Sequence, residues 1–154
     1  MTSLCDVASY IYKWYEDRCQ KEIDEMKLHK LVYLVYRNYL AEHKSPMFQC
    51  VFKAWKHGPV VEDLRQIYKN KSFIDPVCSQ DFENILNSCM CRYAEFDTWI
   101  LVAITRVDTS WILGRISQDN IMQMSDILDD AKRYRKNMKV LRQLKDFRGR
   151  TTHD

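Results

Sequence analysis

The chain has 154 residues, of which 46% are hydrophobic and 29% charged, and it contains only 3 Gly and 3 Pro. This length fits one ordinary domain, and this composition excludes a disordered, collagen-like or loop-dominated chain. The scarcity of Gly and Pro also argues against an all-β fold with many tight turns, so it favours helices. The net charge is +3 and no run of 18 apolar residues occurs, so we expect no membrane span, no secretory signal and a cytoplasmic protein.

Two helices are predicted in the first third of the chain. The first has Ser3 as its N-cap and Asp6 in its first turn, and its apolar stripe consists of Leu4, Val7, Ala8, Ile11, Trp14 and Tyr15. The second is predicted from Asp24 to His43. Because apolar residues cover most sides of the second helix, we expect it to be the central helix of the domain.

The region that follows is unusually rich in aromatic residues for a connection. Residues 47–55 predict an irregular segment or a short strand, and Gly58 and Pro59 then predict the start of a third helix, since Pro is favoured at the first helical position. Two interpretations of residues 48–61 remain open. The stretch closes one end of the core, or it presents Trp55 to a partner, and both can hold together.

Further helices are predicted in the second half. Ser79 is the expected N-cap of one, residues 96–105 are apolar enough to be buried, and residues 110–115 form a short helical turn. A long helix is then predicted from Ser117 to about Phe147, and its apolar positions step by 4, 3, 4 and 3 residues through Ile127, Ala131, Tyr134, Met138 and Leu141. We expect this seam to pack on the protein's own core, with the chain beyond Gly149 frayed.

Positive charge is concentrated near the C-terminus. Residues 132–150 carry one acid, Asp146, and nine basic residues: Lys132, Arg133, Arg135, Lys136, Lys139, Arg142, Lys145, Arg148 and Arg150. The segment has a net charge of +8 and the rest of the chain −5. We therefore divide the sequence into a helical domain over 1–131 and a basic helical extension over 132–154. Such asymmetry indicates contact with nucleic acid or an acidic protein, although a solvated helix face is its commoner meaning.

No sequence motif for catalysis, a cofactor or a metal is present. Gly-rich phosphate loops and His-Glu-x-x-His, Gly-x-Ser-x-Gly and EF-hand patterns are all lacking. The six cysteines are expected to be buried free thiols, because the spacing of Cys89 and Cys91 does not fit a structural zinc site. We therefore expect a non-enzyme without cofactor or metal.

The four histidines are the candidate acid–base groups of the chain. His43 lies at a helix end and His153 in the tail, which leaves His29 and His57 as candidates. His29 with Lys30 and Tyr33 would suit RNA cleavage. We rank this possibility last, because a hydrogen-bonded His at the edge of the core is far commoner.

Three segments carry a resemblance to a known family. Residues 26–33 read Met-Lys-Leu-His-Lys-Leu-Val-Tyr, and residues 46–61 read Pro-Met-Phe-Gln-Cys-Val-Phe-Lys-Ala-Trp-Lys-His-Gly-Pro-Val-Val. They resemble the hallmark segments of the Panacea domain, the SocA-like antitoxin family. Residues 101–106, followed by Trp111 and Arg115, are a weaker third match, in which Val102 and Arg106 replace the usual Ser and His. The resemblance covers about residues 4–121.

The resemblance implies a mostly helical antitoxin that neutralises a cognate toxin by direct contact and, in part of the family, delivers it to a protease. We therefore predict a mostly α, single compact helical domain with at most a short β element near residues 47–56, and a long basic C-terminal helix. A regulator that binds nucleic acid through that helix is the alternative, and a homo-oligomer is possible. The candidate partner-binding residues are Trp55, His57, Gly58, Pro59, Trp111, Arg133, Lys136 and Arg142.

Overall fold

A computed structural model describes residues 2–151, with side chains described for residues 2–146. The described chain forms seven helices and one β-hairpin, which confirms the predicted mostly α fold. In chain order they are α1 (Leu4–Cys19), α2 (Glu25–His43), β1 (Lys53–Trp55), β2 (Gly58–Val60), α3 (Glu62–Asn70), α4 (Gln80–Tyr93), α5 (Thr98–Arg106), α6 (Thr109–Ile116) and α7 (Met124–Thr151). His153 lies outside the described residues, and so do the side chains of Arg148 and Arg150.

Helix α2 lies at the centre of the domain, as its apolar sides predict. It contacts α1, α3, α4, α5, α7 and the hairpin. Buried residues follow one another without a break from Lys27 to Arg37, so every side of the helix is covered there. A helix that is apolar all round is stable only when it is enclosed in this way.

Side-chain caps fix the starts of four helices, α1, α2, α4 and α5, the last through Asp97, which accepts from the Trp99 N–H at 2.8 Å. Ser3 and Asp6 form a capping box at α1, in which Ser3 Oγ accepts from the Asp6 N–H at 3.1 Å. Asp24 accepts from the Lys27 N–H at 2.7 Å, and Ser79 accepts from the Phe82 N–H at 3.3 Å. Each cap satisfies a backbone donor that has no partner inside its helix.

The predicted helix start at Gly58 and Pro59 is wrong, because both residues belong to strand β2. Pro59 faces Ala54 in the antiparallel register. Alternate pairs in such a ladder exchange no hydrogen bond, so a residue without an N–H fits there. The Ala54 N–H instead donates to the Asn120 carbonyl at 2.7 Å. Helix α3 begins only at Glu62, after the hairpin.

The long helix begins later than predicted. Ser117 caps the C-terminus of α6, and residues 118–123 cross the hairpin before α7 starts. The Met122 N–H donates to the Phe52 carbonyl at 2.9 Å, so this connection pairs with the outer side of the hairpin, next to β1. Asn120 has a φ of 58°, a left-handed conformation that interrupts a helix.

Helix α7 packs on the protein's own core over its first half. Ile127 and Ala131 are buried, Tyr134 and Met138 are half-buried, and Leu141 is 51% exposed. The apolar seam therefore serves the core as expected in its first part. Beyond it, the helix carries mostly exposed side chains as far as residue 146.

The prediction that residues 96–105 are buried is wrong for much of the segment. Only Leu101, Val102 and Thr105 of α5 are buried, whereas Trp99 is 58% exposed and Ile100 48%. One face of this nine-residue helix meets α2 and the hairpin. The sequence is apolar on a second face too, and about half of the surface of Trp99 and Ile100 on that face stays exposed.

Candidate functional site

The β-hairpin is held against α2 and α5 by the residues of the sequence hallmarks. Lys30 Nζ donates to the Pro59 carbonyl at 3.1 Å, and burial lowers the pKa of Lys30 to about 8. Gly58 has a φ of 104°, and a Cβ there would lie 2.9 Å from both Lys30 Cε and Thr105 Oγ1. Only glycine combines this backbone conformation with this close approach. The hallmark residues therefore fix the position of the hairpin.

His29 is also part of this support. Its Nδ1 accepts from the Val61 N–H at 3.2 Å, so its Nε2 carries the proton and donates to Glu25 at 3.2 Å. Burial lowers the pKa of His29 to about 3, and the positive charges of Lys30 and Arg65 act in the same direction. His29 is thus a neutral hydrogen-bonded residue at physiological pH.

The trio considered for RNA cleavage does not converge on one point. Lys30 donates to the hairpin, and His29 accepts from the start of α3. The Tyr33 hydroxyl is buried against Asp108. Burial raises the pKa of Tyr33, and the Asp108 carboxylate raises it further. Each polar group has a separate partner, so the geometry favours a structural role for all three.

Lowering the pH should destabilise the fold through His29. Because the folded-state pKa is below the unfolded value of about 6.5, the unfolded chain binds the extra proton first. The free energy of unfolding should therefore fall by up to about 1.4 kcal/mol per pH unit between pH 6.5 and 3. Urea titrations of the protein and of His29→Gln at several pH values measure this.

Carboxylates such as Glu22, whose hydrogen bond from Tyr12 lowers its pKa to about 2, also make the protein less stable in acid. Subtracting the free energy of unfolding of His29→Gln from that of the unchanged protein at each pH cancels this shared contribution of the carboxylates. Parallel curves for the protein and the variant would show that His29 does not resist protonation.

The hairpin turn and α5 together form an exposed aromatic surface. His57 packs edge-to-face against Trp99 with ring centroids 5.2 Å apart, and the Arg65 guanidinium lies 5.1 Å above the Trp55 ring. A cleft of about 350 Å³ is lined by Trp55 and His57 of the hairpin together with Lys30 and His29 of α2. We call Trp55, His57, Trp99 and Ile100 the tip surface. Exposed apolar groups of this kind mark sites of protein contact.

The predicted residues of the hairpin divide into accessible and buried groups. Trp55 and His57 are partly accessible, whereas Gly58 and Pro59 are buried. Trp111 is 8% exposed, and its Nε1 donates to the Trp55 carbonyl at 3.0 Å. Trp111 therefore supports the hairpin from beneath. Sequence reasoning missed Trp99, although a segment apolar on more than one face was the available signal.

The predicted basic residues of α7 have three different surroundings. Arg133 donates to Thr109 Oγ1 at 3.1 Å and pairs with Asp130 at 3.4 Å. Lys136 is exposed. Arg142 lines a groove between α4 and α7. Arg133 is thus engaged within the protein, and Arg142 is the one that faces a concave surface.

The cysteines are less buried than expected. Cys89 is buried, Cys91 is exposed, and the other four are half-buried. Burial raises the pKa of Cys50 and Cys89 to about 12, so neither is a reactive thiolate. Across residues 2–146 we find no group of three or more His, Cys, Asp or Glu side chains placed to hold a metal ion.

None of the helices that the structure describes is both long and apolar enough to cross a bilayer. The family model described as antitoxin SocA-like, Panacea domain, matches residues 28–112, more than half of the chain. This range runs from α2 to α6 and contains the hairpin, its support and Trp99, whereas α7 lies outside it. No curated protein and no solved structure gave a significant match.

Proposed function

Because the chain belongs to the SocA-like antitoxin family with a Panacea domain, we propose that it neutralises a cognate toxin by direct protein–protein binding, without catalysis of its own. The observation that carries the proposal is the tip surface, where a Trp99 side chain 58% exposed packs against His57 of the hairpin. Trp is enriched among the residues that dominate binding energy at protein interfaces.

The support of the hairpin makes this surface suitable for tight binding. The turn is fixed from beneath by Lys30, Gly58 and Trp111, so its aromatic side chains are held in place before a partner arrives. Association then orders few additional groups, and more of the contact energy appears as affinity. We expect the toxin to place apolar side chains against Trp99 and in the adjacent cleft.

The basic part of α7 is the second proposed contact region. Its exposed lysines and arginines would steer an acidic toxin, so the association rate should decrease as salt is added. Exposed ion pairs add only about 0 to 1 kcal/mol each to equilibrium affinity. Delivery of the toxin to a protease and a cytoplasmic location are further parts of this proposal, and they rest on the family alone.

Co-expression with the protein encoded by the neighbouring gene tests the proposal. That neighbour alone should arrest growth, and co-expression of this antitoxin should restore growth and give a complex that co-purifies. An empty vector and an unrelated small helical protein are the controls. A neighbour that is harmless, or toxicity that persists in the presence of soluble antitoxin, would contradict the proposal.

A regulator that binds nucleic acid is the second candidate, and the exposed basic residues of α7 favour it. This function requires binding to duplex DNA whose log affinity falls with log salt, with a slope near −0.9 per phosphate neutralised. A titration with the DNA upstream of the gene, at low and moderate salt, measures that slope. Lack of binding at low salt would remove this candidate.

A further inference from the structure

A groove of about 390 Å³ runs between α4 and α7, over the C-terminal half of α2. Apolar side chains from all three helices line it, namely Ala41, Ile85 and Met138. Basic side chains also line it, namely Arg92, Arg135, Lys139 and Arg142. An apolar lining with positive groups beside it suits a partner that has both apolar and acidic side chains.

The basic side chains of the groove form no ion pair within the described protein. Arg92 donates to the Tyr134 hydroxyl at 2.7 Å, and Arg135 donates to the Ala41 carbonyl at 2.9 Å. These partners are neutral, and through residue 146 no carboxylate lies within 4.0 Å of the charged nitrogens of the four cations. The one acid lining the groove, Glu42, lies beside His43. Two of the cations are thus held in place without a counter-charge.

The spacing of the cations indicates the shape of the partner. Arg135, Lys139 and Arg142 stand at positions i, i+4 and i+7 of α7, which place them along one stripe of the helix. The stripe is about 10 Å long, since each helical residue adds about 1.5 Å. A neighbouring helix that repeats carboxylates at the same interval would face all three cations.

The surroundings of the stripe favour a protein over a single-stranded nucleic acid. Single strands are held by charge together with exposed aromatic rings on which bases stack. The aromatic residue at this groove is Tyr134, and the Arg37 guanidinium covers its ring at 4.5 Å. The other uncharged side chains that line the groove are Ala41, Ile85 and Met138 together with Asn38, Asn84 and Ser88. The aliphatic ones pack best against apolar side chains of another protein.

We infer that the α4–α7 groove docks an acidic amphipathic helix of a partner protein. The helix places its apolar side chains on Ala41, Ile85 and Met138 and its carboxylates against the four cations. The inference rests on the proposed function only for the identification of that partner as the toxin. The inference gives the basic residues of α7 different roles: Lys139 and Arg142 contact the partner, whereas Lys136 faces solvent.

A designed peptide tests the groove without the toxin. The probe is an acidic helix of about 20 residues, long enough to be partly helical in water, with leucines on one face and glutamates at i, i+4 and i+7 beside them. Fluorescence anisotropy at low salt measures its affinity for the full-length protein. The double variant Lys139→Glu, Arg142→Glu should weaken binding by about tenfold.

The matched control is Lys132→Glu, Lys136→Glu, which makes the same change in net charge on the same helix outside the groove. It should change the affinity by no more than about threefold. A second peptide, with serines in place of its leucines, should bind more weakly to the unchanged protein, since it cannot use the apolar lining. Circular dichroism checks that both variants keep their helix content.

Three outcomes would overturn the inference. They are no binding of the acidic peptide, an equal loss of affinity in the two double variants, and stronger binding of a single-stranded RNA of similar charge with the same dependence on Lys139 and Arg142. The last outcome would assign the groove to nucleic acid. Since no toxin is present in this assay, growth rescue can fail while the groove assay succeeds, and the reverse, so the two proposals are tested separately.

Discussion

Replacing Asp108 with alanine is expected to lower the free energy of unfolding by about 3–5 kcal/mol. Asp108 is 8% exposed and accepts from both Arg37, at 3.0 Å, and the Tyr33 hydroxyl. Arg37 is 3% exposed, so its charge would remain in the core without a counter-ion. The loss arises mainly from that unpaired charge rather than from the hydrogen bonds alone.

Urea unfolding monitored by circular dichroism measures this effect. Asp129→Ala is the matched control, because Asp129 is an exposed acid, and it should change stability by no more than about 0.5 kcal/mol. Asp108→Asn keeps an acceptor for Tyr33 but removes the negative charge. Its loss of stability should lie between those of Asp129→Ala and Asp108→Ala. A loss of less than about 1 kcal/mol in Asp108→Ala would mean that Arg37 reaches water when its partner is removed.

Replacing Trp99 with glutamate is expected to weaken toxin binding by about 30-fold or more, which corresponds to about 2 kcal/mol for a residue that dominates an interface. The side chain is 58% exposed in the free protein, so the fold should be retained. The substitution removes the ring that packs on His57 and puts a charge into a surface that the partner must desolvate. Calorimetric titration with the purified toxin gives the dissociation constant.

Val77→Glu is the control for this experiment. Val77 is 79% exposed in the connection before α4, and the change adds the same charge to another exposed apolar position. Its affinity for the toxin should stay within about threefold of the original. If Trp99→Glu binds as tightly as Val77→Glu, the tip surface is not the contact. If Trp99→Glu also restores growth in that case, the protein still neutralises the toxin but contacts it through another surface.

Much of the helical scaffold could be predicted from local sequence. Ser3, Asp24 and Ser79 mark helix starts because a short polar side chain can satisfy the first free N–H groups wherever the helix lies. The central place of α2 follows from its composition, since a helix without a polar face has to be enclosed. The hallmark segments identified the family without any knowledge of what their residues contact.

The candidate site was harder to predict, because its residues act across the fold. The residue types of Trp55 and His57 are enough to mark them as candidates, and they lie on the tip surface. The apolar sequence around Trp99 predicts a core position, yet its exposure depends on how much of α5 the hairpin and α2 can cover. Trp111 has the same side chain but is buried, and its indole N–H is satisfied there by the Trp55 carbonyl.

The helical class, the caps at Ser3 and Ser79, the central helix and the family can all be inferred from the sequence, since each depends on local spacing or on the order of residues along the chain. The strand at Gly58 and Pro59 cannot, because it depends on contacts with distant segments. The local pattern at Pro59 predicts a helix start. In the structure, however, Lys30, 29 residues away, donates to the Pro59 carbonyl, and Thr105, 47 residues away, lies against Gly58. The exposure of a side chain and its contacts with distant residues depend on how the whole chain packs, so they cannot be predicted from one segment alone.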